Sequence, residues 1–385
     1  MIVRTRESKR RNWIFCAVIS MLCVALSFLP SPGGMGGANK IPRSAVRILE
    51  VDNGMLAPLG IVYSGVQECT VKILEGPFRG QTVRGANHLN AALDKDKLFE
   101  VGDKALAMVH AKDGALHTVT LIDHYRLDLQ GILFALFGVL IILVGGVSGC
   151  GALVSLVASV ILIWKLMIPL TLQGFPPILI AFVLVLLLTV LIDLLVAGIS
   201  HTALVAILGS LLGTGITCLL SIGFGHALKI DGSSLPYVVP LIAQNQMQLN
   251  LRDLFFSMVF IANSGALMDL SMDIAVACQE VALHKPDISR PALLRSALAV
   301  GRNVMGTMTT TLMLAYSGSY LSLMLYFAGQ GTPLIDVLNL KYVASEILIT
   351  LVGCFGLVTV APFTALVVSV THGRKTRNQA PLPAV

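Results

Sequence analysis

Seven apolar stretches, near 130–148, 151–171, 177–198, 202–224, 252–278, 297–326 and 343–371, follow one another along most of this chain, and an eighth occupies Trp13–Leu29. A bilayer core is about 30 Å thick and takes about 20 helical residues to cross. Lipid offers the backbone no hydrogen-bond partners, so each stretch must satisfy its amides internally, as a helix. Charged residues make up 12% of the chain, about half the share of a soluble domain. These constraints predict a polytopic α-helical membrane protein with about eight transmembrane helices.

The first stretch follows Arg4, Arg6, Lys9, Arg10 and Arg11. It is longer than the roughly 7–15 residues of a signal-peptide core, and no A-x-A site follows, so residues 1–30 read as a basic tail and an uncleaved anchor. Residues 31–44 are a Pro/Gly-rich linker. From 45 to 126 the pattern changes to short runs (45–51, 69–74, 81–84, 104–110, 116–123) separated by Gly, Pro and Asp, the pattern of a small antiparallel β-barrel-like domain. Asp113-Gly114 is a hairpin signal that pairs Lys112 with Ala115 and sets His110 opposite His117. With no third ligand fixed nearby, the two histidines read as a polar pair at the barrel rim, and no metal site is expected. The seven cysteines show no ligand spacing, and only Cys69 falls in the polar domain, a natural handle for thiol reagents.

Loop cations orient the helices. Arg4–Arg11, the loop with Lys285, Arg290 and Arg295, and the tail with Arg374, Lys375 and Arg377 fall on one side, which the positive-inside rule makes the cytoplasm. An even number of spans then leaves both termini cytoplasmic, the β-domain outside between helices one and two, a seven-helix bundle over 127–372 and a tail over 373–385. Trp164 and Lys165 suit an outer interface, as an aromatic anchor and a snorkelling cation.

Polar residues inside these stretches are the candidate site. GALMDLSMDI (265–274) puts Asp269 and Asp273 at i and i+4 on one helix face. A central Asp costs about 2.5–3.5 kcal/mol on the insertion scale, against about 0.3–0.6 returned by each good apolar residue. Arg302 and Asn303 open the next stretch, and Thr307 and Thr310 continue the line of Asn303 along it. Asp193 lies at the same inner level. A transport role for this set competes with a structural one, in which Arg302 pairs with Asp269 or Asp273 and the threonines bond their own helix. One arginine neutralises one carboxylate, which leaves the other for a proton, an ion or water. Gly145 with Gly149, and Gly209 with Gly213, read as close-packing pairs, and Pro362 as a kink.

No Walker loop, nucleophile elbow, metalloprotease or dinucleotide motif is present, so neither catalytic residues nor a cofactor is expected. The cations sit at segment ends, where they meet anionic lipid rather than nucleic acid.

GALMDLSMDIAVACQEV (265–281), GRNVMGTMTTTLMLAYSGS (301–319) and the glycine–proline pattern of 351–365 resemble the YibE/F-like family of bacterial multi-pass membrane proteins. The order of anchor, external β-domain and seven helices is similar to that of fused members. The resemblance implies this architecture and a plasma-membrane location, and little biochemistry. The family pattern more often has Ser where Asp273 stands and Asp where Asn303 stands, whereas Asp269 and Arg302 match it and rank first. The expectation is a secondary permease for a small solute or ion with a polar Asp/Arg site. The alternative is a membrane scaffold whose external β-domain binds a protein partner.

Overall fold

The computed structural model describes residues 6–28, 42–112, 115–244 and 249–378. The chain forms two compact units, Gly34–Leu140 and Met1–Gly33 with Ile141–Val385.

In the first unit, alternating inward and outward residues build β1 (Arg43–Asp52), β2 (Leu56–Leu59), β3 (Val62–Ile73), β4 (Thr82–Asn90), β5 (Lys104–Lys112) and β6 (Ala115–His124). β1 pairs antiparallel with β3 and β5, β3 with β4, and β5 with β6, while β4 runs parallel to β6. The five strands close a ring, and β2 adds to β3 as a hairpin. This connectivity is that of the OB barrel, a fold that hosts many functions and assigns none alone. Val46, Ile48, Val71, Ile73, Val119 and Leu121 fill the interior. Closure depends on Gly85, where an added Cβ would meet Val119 Cγ2 at 2.7 Å. β4 and β6 can approach only because no side chain stands there.

A buried amide network fixes the segment before β5. Gln67 donates to Asn53 Oδ1 (2.9 Å) and the Phe99 carbonyl (3.0 Å), and its Oε1 accepts from Phe99 N and Asn87 Nδ2, both at 3.0 Å.

Two sequence expectations change here. Lys112 pairs with Ala115 as expected, but His110 lies opposite Thr118, not His117. Between the Lys112–Ala115 and His110–Thr118 pairs β6 carries one residue more than β5, a bulge, and an extra residue resets which side chains face each other. His110 Nε2 lies 3.0 Å from Thr120 Oγ1 instead. The hairpin residues Asp113 and Gly114 themselves lie outside the described residues. Cys69 is 2% exposed, inside the barrel, and burial pushes its thiol up to about 11, so it is no handle for reagents.

The second unit carries the helices. α1 is Arg6–Ser27. Residues Leu127–Leu172 form one continuous run of α2 (Leu127–Leu162), a π-helical turn (Ile163–Met167) and α3 (Ile168–Leu172). It begins in the first unit and is broken at Gly146, whose φ of 54° a side chain would resist. There follow α4 (Pro177–Ala197), α5 (His201–Ala227), α6 (Val238–Gln244), α7 (Leu251–His284), α8 (Arg290–Ser319), α9 (Leu321–Gly329), α10 (Leu334–Asn339) and α11 (Lys341–Asn378). Pro177 opens α4 and Gly198, at φ 75°, ends it. Ser200 caps α5, and Asn250 caps α7 by accepting from Arg252 N and Asp253 N. α11 runs on through Pro362.

Among the described residues five helical stretches are long and apolar enough to cross a membrane: Leu127–Leu172, Pro177–Ala197, His201–Ala227, Leu251–His284 and Lys341–Thr371. A sixth results if α8 and α9, bent by 58°, count together. The expected eight are not seen as eight. The spans expected at 130–148 and 151–171 come as one 46-residue run, and the apolar part of α1, Trp13–Ser27, is shorter than a full span.

α5, α7 and α11 form the centre of the bundle, with α4 and α8 packed alongside. Val205, Leu267, Leu270, Ile274, Leu357 and Val360 make its core towards α8, and Leu184, Phe255, Phe256, Phe260 and Val352 its core towards α4. The expected pair Gly209/Gly213 sits where α5 meets its neighbours: a Cβ on Gly209 would strike Thr364 and Ser271, and one on Gly213 would strike Val360. Ser271 Oγ donates to the Ala206 carbonyl (2.7 Å) and lies 3.0 Å from Thr364 Oγ1, which ties all three helices together. The pair Gly145/Gly149 does no such work between helices. Gly145 faces open space, and Gly149 approaches the Ile141 carbonyl across the break in its own helix.

Candidate functional site

Asp193 is the most constrained ionisable residue of the bundle. It lies near the end of α4, 2% exposed, and its Oδ2 has no hydrogen-bond partner among the described residues. One turn earlier, Thr189 gives its hydroxyl to the Val185 carbonyl at 2.8 Å and so does not serve Asp193.

α4 packs against α7, and α7 brings the next carboxylate. Leu267, Leu270, Ser271 and Ile274 turn to the core, which leaves Asp269 and Asp273 on an open strip with Met258, Ala262 and Gly265. Asp269 is about 27 Å along α7 from its first residue, by helix rise, near the middle of this 34-residue helix. It is close enough to Asp193 for the two charges to repel, and Asp273 acts on Asp269 in the same way. Asp193, Asp269 and Asp273 therefore form one electrostatic chain across α4 and α7.

Arg302 is not part of it. Among the described residues no ion pair joins Arg302 to Asp269 or Asp273. The reason lies in the packing of α8. Gly301 turns inwards, where an added Cβ would meet Ala361 Cβ at 2.9 Å and Ile274 Cδ1 at 3.2 Å, and Arg302, one residue on, is rotated to the exposed side. Asn303, Thr307 and Thr310 share that exposed side. Thr307 donates to the Val304 carbonyl (2.9 Å) and Thr310 to the Gly306 carbonyl (3.2 Å), so both hydroxyls are satisfied by their own helix. The candidate residues thus separate into an acidic group on α4 and α7 and a polar strip on α8.

A group of carboxylates has few options inside a membrane. A charged Asp at mid-span costs about 2.5–3.5 kcal/mol on the insertion scale, and one with its hydrogen-bonding capacity unmet costs more. Mutual repulsion adds to this.

Three polar residues escaped the sequence reading. Asn263 on α7 is 1% exposed, donates to the Val259 carbonyl (3.0 Å) and accepts from Tyr316 Oη (3.3 Å) on α8. Glu346 on α11 lines the same cavity as Tyr320. The available signal for Glu346 is its isolation, since it is the one charged residue in 343–371. Asn263 and Tyr316 carry no comparable signal, because single amides and tyrosines are common in spans.

The YibE/F-like protein family matches residues 133–374, and the chain belongs to that family. No curated protein and no solved structure matches it. The apolar helices and the family make it a membrane protein.

Proposed function

We propose that this YibE/F-like protein is a multi-pass secondary permease of the bacterial plasma membrane in which Asp193, Asp269 and Asp273 carry the coupling proton or cation between α4 and α7. The observation that carries this reading is Asp193, buried in a span with a carboxylate oxygen unpartnered among the described residues and a second carboxylate within electrostatic range. Ionisable residues retained inside membranes at such cost are characteristic of proton and ion pathways. Eight spans are recovered if the Leu127–Leu172 run crosses twice, turning at Gly146, and if α1 and α8 each cross once. Both termini are then cytoplasmic and the barrel external, as the cation bias favours. No catalytic motif accompanies the acidic group, which favours a carrier over an enzyme.

One observation supports the rival scaffold reading. The β2 hairpin ends the sheet and exposes Met55, Leu59 and Ile61, with Ile61 at 83%. Such an apolar edge suits an extracytoplasmic protein partner.

The test is flux in proteoliposomes over a panel of small solutes under an imposed pH or sodium gradient. Gradient-driven uptake of at least one solute is expected, with loss on Asp193→Asn and on Asp269→Asn in protein that remains folded. Full uptake by folded Asp193→Asn would overturn the coupling role, and absence of uptake for every solute would favour the scaffold.

A further inference from the structure

Away from the acidic group, α8, α9, α10 and α11 border a half-open cavity of about 610 Å³. Its walls are mostly apolar, with Met313, Leu323, Phe327 and Leu351 among them, and its few polar groups include Tyr320, Glu346 and Thr350. This is within the roughly 300–1,000 Å³ of sites that take drug-sized molecules, and its composition is typical of them.

The distinctive element is Glu346. Tyr316 and Tyr320 line the cavity together with it. Among the described residues no lysine, arginine or histidine pairs with it. Every other lining side chain is neutral. An anionic guest would meet repulsion with no compensating donor beyond hydroxyls. A neutral apolar guest would fill the walls but leave the carboxylate either uncompensated or obliged to take up a proton. An organic cation satisfies both parts at once. Its apolar body covers the aliphatic and aromatic wall, and its charge meets Glu346 and the faces of Tyr316, Tyr320 and Phe327, which attract cations through their quadrupoles.

We propose that this cavity is a binding site for lipophilic organic cations, with Glu346 as the charge-recognising residue. The site is separate from the α4–α7 acidic group and stands whether or not that group couples transport.

The experiment uses the full chain in lipid nanodiscs, with empty nanodiscs as the control for partitioning. The probes are tetraphenylphosphonium and the neutral triphenylphosphine oxide, of similar bulk. Saturable binding of the phosphonium is expected, with the oxide at least about tenfold weaker. Glu346→Gln removes the charge and is expected to weaken phosphonium binding about tenfold or more while leaving the oxide unchanged. Ser317→Phe, which fills the cavity, should abolish both. No saturable phosphonium binding, equal binding of the two probes, or undiminished phosphonium binding by Glu346→Gln would each overturn the assignment. Should Glu346→Gln not fold, the ratio of the two probes on the unmodified protein decides.

Discussion

The contact between α5 and α11 makes the sharpest quantitative prediction. Gly213 lies against Val360, and a methyl group on Gly213 would overlap Val360 Cγ2. Non-bonded carbons rest about 3.5–4.0 Å apart, so Gly213→Ala must push the helices apart or force Val360 off its rotamer. Overpacking of this kind costs about 1–3 kcal/mol. Truncating Val360 removes the offending atom. The new methyl then meets Val360 Cβ at 3.2 Å and Cα at 3.4 Å, distances that a shift of a few tenths of an ångström relieves. Val360→Ala alone leaves a small void at a fully buried position. In lipid that change forfeits packing rather than solvent transfer, on the order of 1 kcal/mol. The double variant should therefore be no worse than Val360→Ala by more than about 0.5 kcal/mol, and more stable than Gly213→Ala wherever that variant costs more than about 1.5 kcal/mol. The coupling energy would then be about 0.5–3 kcal/mol, opposing the single effects. Reversible SDS titration in mixed micelles, followed by far-ultraviolet circular dichroism, measures it. A neutral Gly213→Ala, or a double variant as unstable as the two singles added, would refute the close approach of these helices.

Two further outcomes are expected. Residues 41–126 expressed alone should fold with a strand-rich circular dichroism spectrum, and Gln67→Leu should destabilise them by about 2–4 kcal/mol, because Phe99 N and O would lose buried partners; a helical spectrum, or an unchanged urea midpoint, would count against the barrel and its amide network. An impermeant maleimide applied to spheroplasts should label Ile61→Cys, at an 83% exposed position, while Cys69, its thiol raised to about 11 by burial, stays unmodified at pH 7.5; labelling of Ile61→Cys only after permeabilisation would reverse the proposed topology.

How far the residues foretold these features depended on the range of the interaction. Alternation over 45–126 was enough for a barrel, because side-chain period and turn signals are local. The bulge in β6 was not legible, since nothing in Leu116–Thr118 marks which residue will be left unpaired. Cys69 follows the alternation that buries Val71 and Ile73, so its burial is legible in the period of two. In the bundle, helical phase placed Asp269 and Asp273 together, and it placed Asn303, Thr307 and Thr310 together. It could not say which helices touch. Order along the chain points to Arg302 as the partner of Asp269 or Asp273, whereas packing sets α4 beside α7 and makes Asp193 the electrostatic neighbour of Asp269. Gly146 shows the same limit, for a single φ of 54° breaks a run whose composition is apolar on both sides.

The two sides of α7 are built for different tasks. Towards α5 and α11 it presents Leu267, Ser271 and Ile274, and the interface is closed by glycines and by a hydroxyl bond to the Ala206 carbonyl. That contact has no charge in it, so pH leaves it alone. Towards α4 the neighbouring acid is Asp193, and the free energy of docking α4 onto α7 depends on its proton. With Asp193 neutral, the interface buries a polar group at a cost of about 1–3 kcal/mol for the unmade bond. With Asp193 charged beside Asp269, the burial penalty rises to several kcal/mol and repulsion adds to it. Under the permease reading, the proton on Asp193 would therefore couple the gradient to the α4–α7 contact.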